Sequence, residues 1–187
     1  VMPNLPVSIE KGMTAVCPGP GATDADLAFT HDLFAALGDV VRIDEALMDA
    51  FTAVAGSGPA YVFYLAEAMV KGAIAAGFDA ATADRIVRQT IVGAAEFMAA
   101  DEEDGEGAQV AQRLRARVTS RGGTTAAATA VLDGAGAMET VVKAILAARD
   151  RGAALSKAID EHAHHAQHAP PVPSVTPATA PNGARAH

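Results

Sequence analysis

The 187 residues carry 14 Lys and Arg against 22 Asp and Glu, a formal net charge of −8. Phosphate neutralisation needs clustered cations, so an acidic chain is a poor nucleic-acid binder. Half the residues are hydrophobic but only 4% are aromatic; the apolar mass is 45 alanines, which favours closely packed helices over a sandwich or barrel. The single cysteine, Cys17, excludes a disulfide framework within the chain and a Cys-based zinc site. No window reaches the roughly 18 apolar residues of a membrane span, and no basic-then-apolar leader opens the chain. The expectation is a soluble, cytoplasmic, mainly α protein with no nucleic-acid or membrane partner.

The chain starts at Val1 and runs at once into Met2-Pro3-Asn4-Leu5-Pro6, which reads as the middle of a longer polypeptide. Lys11 to Pro18 reads as a short strand, with Cys17 in its core, and Pro18-Gly19-Pro20-Gly21 as a turn. Thr23 with Asp24 and Asp26 marks a capped helix start, followed by Leu27, Phe29, Leu33, Phe34 and Leu37 as an apolar face. Val40 to Ile43 reads as a second strand. Gly12 to Ile43 is thus a strand–helix–strand unit of the kind that ends a doubly wound domain.

From Ala46 to Phe78 the only charges are Asp49, Glu67 and Lys71, and Gly56-Ser57-Gly58-Pro59 interrupts the run. A helix apolar around most of its circumference must be buried on most sides, and a chain this small needs a partner to cover it. Asp79 to Ala100 reads as the next helix, Asp101 to Gly107 as an acidic loop and Ala108 to Val118 as a basic helix. Thr119 to Thr125 reads as a loop, with a helix opening at Ala126. Ala137 to Lys157 is the last helix, striped by Val141, Val142, Ile145, Leu146 and Leu155. Beyond it, five of the six His and five of the ten Pro make a tail disordered by composition. His162, His164, His165 and His168 could chelate a metal there; a solvated tail is the plainer reading, and no metal is expected.

Two glycine-rich segments carry the candidate chemistry. In Gly56-Ser57-Gly58-Pro59-Ala60-Tyr61, the glycines allow close approach to the backbone and Pro59 suits a first helical turn; a packing kink is the alternative. In Ser120-Arg121-Gly122-Gly123-Thr124-Thr125, two glycines and several hydroxyls precede a helix, a small anion site for a carboxylate or a phosphate. The alternative is ordinary capping by Ser120 or Thr124.

These two segments, together with Met2-Pro3-Asn4-Leu5-Pro6, Asp49-Ala50-Phe51-Thr52-Ala53 and the stretch from Val118 to Thr125, resemble pyrroline-5-carboxylate reductase from Val1 to about Lys157. The resemblance implies reduction of 1-pyrroline-5-carboxylate to L-proline, the last step of proline biosynthesis, with NADPH or NADH. It implies a homodimer or higher oligomer binding a small imino acid. Residues 1–43 would be the end of a Rossmann domain, a small β-α-β remnant. Residues 44–157 would be the helical dimerisation and substrate domain, and 158–187 the tail.

Carried onto this sequence, Thr125 would be the catalytic donor to the ring nitrogen. Ser120, Gly123, Thr124 and Thr125 would hold the substrate carboxylate, with Glu45 at the edge of the site. Ser57 and Gly58 would face the nicotinamide, and Arg117 lies at a position used near the cofactor. The chain departs from the family's pattern too. The Gly-x-Gly-x-x-Gly dinucleotide fingerprint does not occur. Arg121 stands where proline is usual, Leu5 replaces a common threonine, and Glu106-Gly107-Ala108-Gln109 lacks a clear match to an acid often found there. A catalytically silent dimerisation module that needs a separate Rossmann partner, or a reductase with an altered imine substrate, remain alternatives.

Overall fold

The computed structural model describes residues 1–101 and 108–167, with the side chains of 108, 109 and 160–167 outside that description. The expected acidic loop therefore falls largely outside the described residues. The chain divides into two compact units, Val1–Ala153 and Ala154–His187; of the second, residues 154–167 are described and are helical.

The β-α-β unit forms as expected. Strand β2 (Gly12–Val16) and strand β3 (Gly38–Arg42) pair in parallel, with Gly12 opposite Gly38 and Val16 opposite Arg42. A side chain at Gly38, whose φ is +146°, would collide with the Gly12 backbone, so this crossing needs glycine. Helix α1 (Asp24–Ala35) joins the strands and opens on a capping box: the Thr23 hydroxyl accepts the Asp26 N–H at 3.2 Å, and the Asp26 carboxylate accepts the Thr23 N–H at 2.9 Å. The Thr23 hydroxyl bond, then its backbone bond, holds the Asp26 carboxyl below the usual carboxylate range. Outside the earlier expectation, β1 (Met2–Pro3) pairs antiparallel with β2, and a 3-10 turn follows at Leu5–Ile9.

The expected single apolar face of α1 is corrected. Leu27 is buried and Phe34 half-buried, while Phe29 and Leu33 are exposed. At 100° per residue Phe29 and Leu33 project opposite to Leu27 and Phe34, so they never shared a stripe. Cys17 is corrected too. It lies just past β2 and is partly exposed, not core.

The helical part begins with a 3-10 turn (Glu45–Leu47), α2 (Met48–Phe51) and a π turn (Thr52–Gly56), then α3 (Gly58–Ala75). The glycine segment therefore widens a helical run without breaking it. Helix α4 (Ala80–Ala99) is capped by Asp79, whose carboxylate accepts the Ala81 and Thr82 N–H groups at 3.1 and 3.0 Å. It packs along α3 through buried Ala83 and Val87. The Arg113–Asp101 ion pair, at 2.6 Å, ties the end of α4 to α5 (Ala108–Arg117).

Helix α6 (Thr124–Gly134) starts two residues earlier than expected, and α7 (Ala137–Gln167) runs ten residues past Lys157. Residues 158–167, expected in the tail, continue this helix, and the rest of the expected tail lies outside the described residues. Within the described residues neither α6 nor α7 belongs to a substantial packing pair. The apolar residues they carry, including Val131, Leu132, Val141 and Val142, are exposed in the single chain, as are Val62, Phe63, Tyr64 and Leu65 of α3.

Candidate functional site

The sequence sets the loop before α6 locally. Gly122 sits at φ +74°, in the left-handed region that favours glycine. Gly123 matters for another reason: a Cβ there would push the Ser120 hydroxyl aside and come within 3.2 Å of the Ser120 carbonyl. The Gly123 N–H donates to the Ser120 carbonyl at 3.0 Å, closing a turn that delivers the chain into the helix. Gly123 occupies the N-cap position, and no side chain caps α6. Capping by Ser120 or Thr124 is therefore not what these hydroxyls do. The first bond from an N–H in this helix back to the cap is Ala127 to Gly123, at 3.1 Å. The N–H groups of Thr124 and Thr125 lie ahead of it, at the positive end of the helix dipole. Thr125 is half-buried, while Ser120 and Arg121 are exposed.

The second segment is the π turn. Its Ser57 N–H donates to the Thr52 carbonyl five residues back, at 2.8 Å. Between this bond and Pro59, two carbonyls need other partners. That of Ala53 would normally take the Ser57 N–H, and that of Ala55 faces Pro59, which has no N–H. The Tyr61 hydroxyl donates to Ala53 at 2.9 Å and the Asn4 side-chain amide to Ala55 at 3.1 Å. Ala53 is fully buried, where an unpaired carbonyl would cost about 1–3 kcal/mol. The Asn4 carbonyl oxygen in turn accepts the Met13 N–H at 2.9 Å, so one side chain joins the start of β2 to the π turn. Ser57 follows, half-buried, and a Cβ at Gly58 would point into open space.

Glu45, exposed at the head of its 3-10 turn, accepts the Cys17 thiol at 2.8 Å. That bond, with burial and the carboxylate's charge behind it, pushes the Cys17 thiol above its ordinary range. The Arg117 guanidinium lies over the Phe97 ring, 5.2 Å from its centre, a cation–π contact between α5 and α4. Among the described residues no group of His, Cys, Asp and Glu could hold a metal ion. The tail histidines lie outside the described side chains.

The candidate residues thus gather in three places: Ser120, Gly123, Thr124 and Thr125 at α6; Ser57 and Gly58 at the π turn; Glu45 beside Cys17. Among the described residues no hydrogen bond or ion pair joins Glu45, Ser57 or Gly58 to the α6 loop. Asn4, Tyr61 and Cys17 take part in this geometry although the sequence assigned them no role. Asn4 was the visible signal: a capping residue type ahead of the 3-10 turn, whose side chain does not cap it.

Residues 45–155 match the family model described as pyrroline-5-carboxylate reductase dimerisation. The chain belongs to the pyrroline-5-carboxylate reductase family. It is 39% identical over 156 residues to the pyrroline-5-carboxylate reductase of Synechocystis sp., covering 83% of this chain and 56% of that protein. It is 37% identical over 157 residues to the reductase of Arabidopsis thaliana, covering 84% of this chain and 55% of that one. Among solved structures it is similar to the Plasmodium falciparum pyrroline carboxylate reductase with NADP bound (TM-score 0.73, 29% identity, 82% of this chain and 60% of that one). It is similar also to a pyrroline-5-carboxylate reductase from Coxiella burnetii (TM-score 0.73, 35% identity, 82% and 55%). The chain spans about half the length of the curated reductases it matches. Its helical fold with a small three-stranded sheet matches these structures, and among the described residues no helix is long and apolar enough to cross a membrane.

Proposed function

We propose that the chain is the dimerising and substrate-holding part of an NAD(P)H-dependent reductase that converts 1-pyrroline-5-carboxylate to L-proline. The observation that carries the reading is the uncapped start of α6. The Thr124 and Thr125 N–H groups and the Ser120 hydroxyl hold the substrate carboxylate, with Gly123 giving the hydroxyl room. A fixed carboxylate presents one face of the ring. The Thr125 hydroxyl donates to the ring nitrogen, where electron density rises as the imine carbon is reduced, so it stabilises the transition state more than the bound substrate. Glu45 borders the site.

Of the cofactor, the residues present fit only the nicotinamide end. Gly58 leaves open space beside Ser57, whereas the dinucleotide fingerprint does not occur and Arg117 is engaged with Phe97. The cofactor supplies the hydride when bound; holding it falls mainly to a nucleotide-binding domain acting with these residues.

The partner of the helical part is a second copy. A groove of about 650 Å³ between α3 and α4 is lined largely by apolar residues, among them Val62, Phe63, Val87, Ile91 and Val92. The two charges on α3 pair with each other, Lys71 to Glu67 at 2.7 Å, so neither calls for a polar partner.

Thr125→Val keeps the shape and removes the donor. In the assembled reductase it should lower kcat by roughly 10²-fold with KM for the imino acid little changed. A variant that raises KM with kcat intact would contradict the role of Thr125. The 187 residues by themselves should turn over no imino acid, and steady substrate-dependent NADPH oxidation by this chain alone would overturn that expectation.

A further inference from the structure

The π turn is an unusual place to spend two side chains. Widening the helix at Thr52–Gly56 and following it with Pro59 leaves the Ala53 and Ala55 carbonyls without their α-helical donors. Tyr61, eight residues on, reaches back to the first at 2.9 Å. Asn4, fifty-one residues away, reaches the second at 3.1 Å and anchors on the Met13 N–H at 2.9 Å. The Met2 side chain lies against Gly56 as well, so β1 backs the turn. The widened turn ends directly at Ser57, whose N–H closes it on Thr52.

We propose that Asn4 and Tyr61 are positioning residues. By taking the two carbonyls that the π turn and Pro59 free, they fix where Ser57 and Gly58 stand relative to β2, and so where the nicotinamide end of the cofactor meets the helical part. The positioning of the cofactor rests on the function proposed above; the clamp on the turn does not. Without the Tyr61 hydroxyl the Ala53 carbonyl competes for the Ser57 N–H, which would pull the turn towards an ordinary α-helix and shift Ser57 and Gly58 along it; without the Asn4 amide the Ala55 carbonyl is left with no donor and the turn loses its tie to β2. Asn4 also explains how the strand unit and the helical part keep register across this segment: its one amide group is bonded to both.

Amide hydrogen exchange on the 187-residue chain tests the clamp. Asn4→Asp keeps the acceptor for Met13 but sets a carboxylate oxygen against the Ala55 carbonyl, and Tyr61→Phe removes only the hydroxyl. Each should speed exchange of the Ser57 N–H roughly five- to tenfold, the worth of one net hydrogen bond, while Ala15 in β2 and Val87 in α4 exchange as before. Unchanged Ser57 exchange in both variants, or an equal acceleration at Ala15 and Val87, would overturn the proposal. In the assembled reductase both variants should raise KM for NADPH about fivefold, with KM for the imino acid unmoved. A fall in kcat with both KM values unchanged would mean lost folded enzyme and would contradict positioning. If the unaltered assembly reduces no imino acid, the functional reading falls, and Ser57 exchange still decides whether the clamp exists.

Discussion

Cys17 and Glu45 show how much a single pair can carry. The thiol donates to the carboxylate, and that hydrogen bond, with burial and then the carboxylate's charge behind it, raises the cysteine's pKa. A raised folded pKa means the pair stabilises the fold below the ordinary thiol pKa, about 8.5, and that this contribution is lost as pH rises through the folded value. Alkylation of Cys17 by iodoacetamide should therefore have its midpoint above the ordinary thiol range, and Glu45→Gln should bring it down. A midpoint at the ordinary value in the unaltered chain would contradict the pairing. The sequence suggested a core cysteine because apolar residues precede it. It could not show that the strand ends one residue earlier, at Val16, or that Glu45 comes back beside it. At the α6 loop, by contrast, the local sequence was enough to point to an anion site. Gly122 at positive φ and the Gly123 to Ser120 turn set that backbone locally, and the structure shows that no side chain caps the helix; that the open end holds an anion is the proposal made above.

Elements were legible where the signal was local. Thr23 with Asp24 and Asp26 marks one helix start and Asp79 opens the next, and both helices are found, with Asp79 as the cap of the second. The π turn was not legible, because one of its supports comes from Asn4, far away in the chain. Helix α3 was read as apolar on most sides, and it exposes Val62 to Leu65 in the single chain, with Tyr64 77% exposed. Soluble monomers rarely expose contiguous apolar patches beyond a few hundred Å². Ala68 is exposed on the same helix, so nothing within one chain opposes a carboxylate there. Ala68→Asp should nonetheless convert a dimer into monomer or insoluble protein, as read by light scattering at micromolar concentration. A monodisperse monomer from the unaltered chain, or an unaffected dimer from the variant, would contradict the second-copy interface.

At the scale of the molecule, the Asn4 amide and the Cys17–Glu45 bond tie the strand unit to the helical part. Family membership rests on residues 45–155 and on relatives about one and a half times this length, so the reaction depends on what the site itself can hold. The proposed reaction depends above all on the start of α6 holding a carboxylate on an imino-acid ring. That hold requires no bound cofactor, since the donors are backbone groups fixed by local structure. Two charge-assisted hydrogen bonds of about 1.5–3 kcal/mol each outweigh a modest ordering cost. Titration of the folded chain with L-proline and with pyrrolidine, which lacks the carboxylate, followed by amide chemical shifts, tests this most directly. L-proline should move the amides of Gly122 to Thr125 and pyrrolidine should not; equal shifts with both ligands, or none with either, would contradict the account.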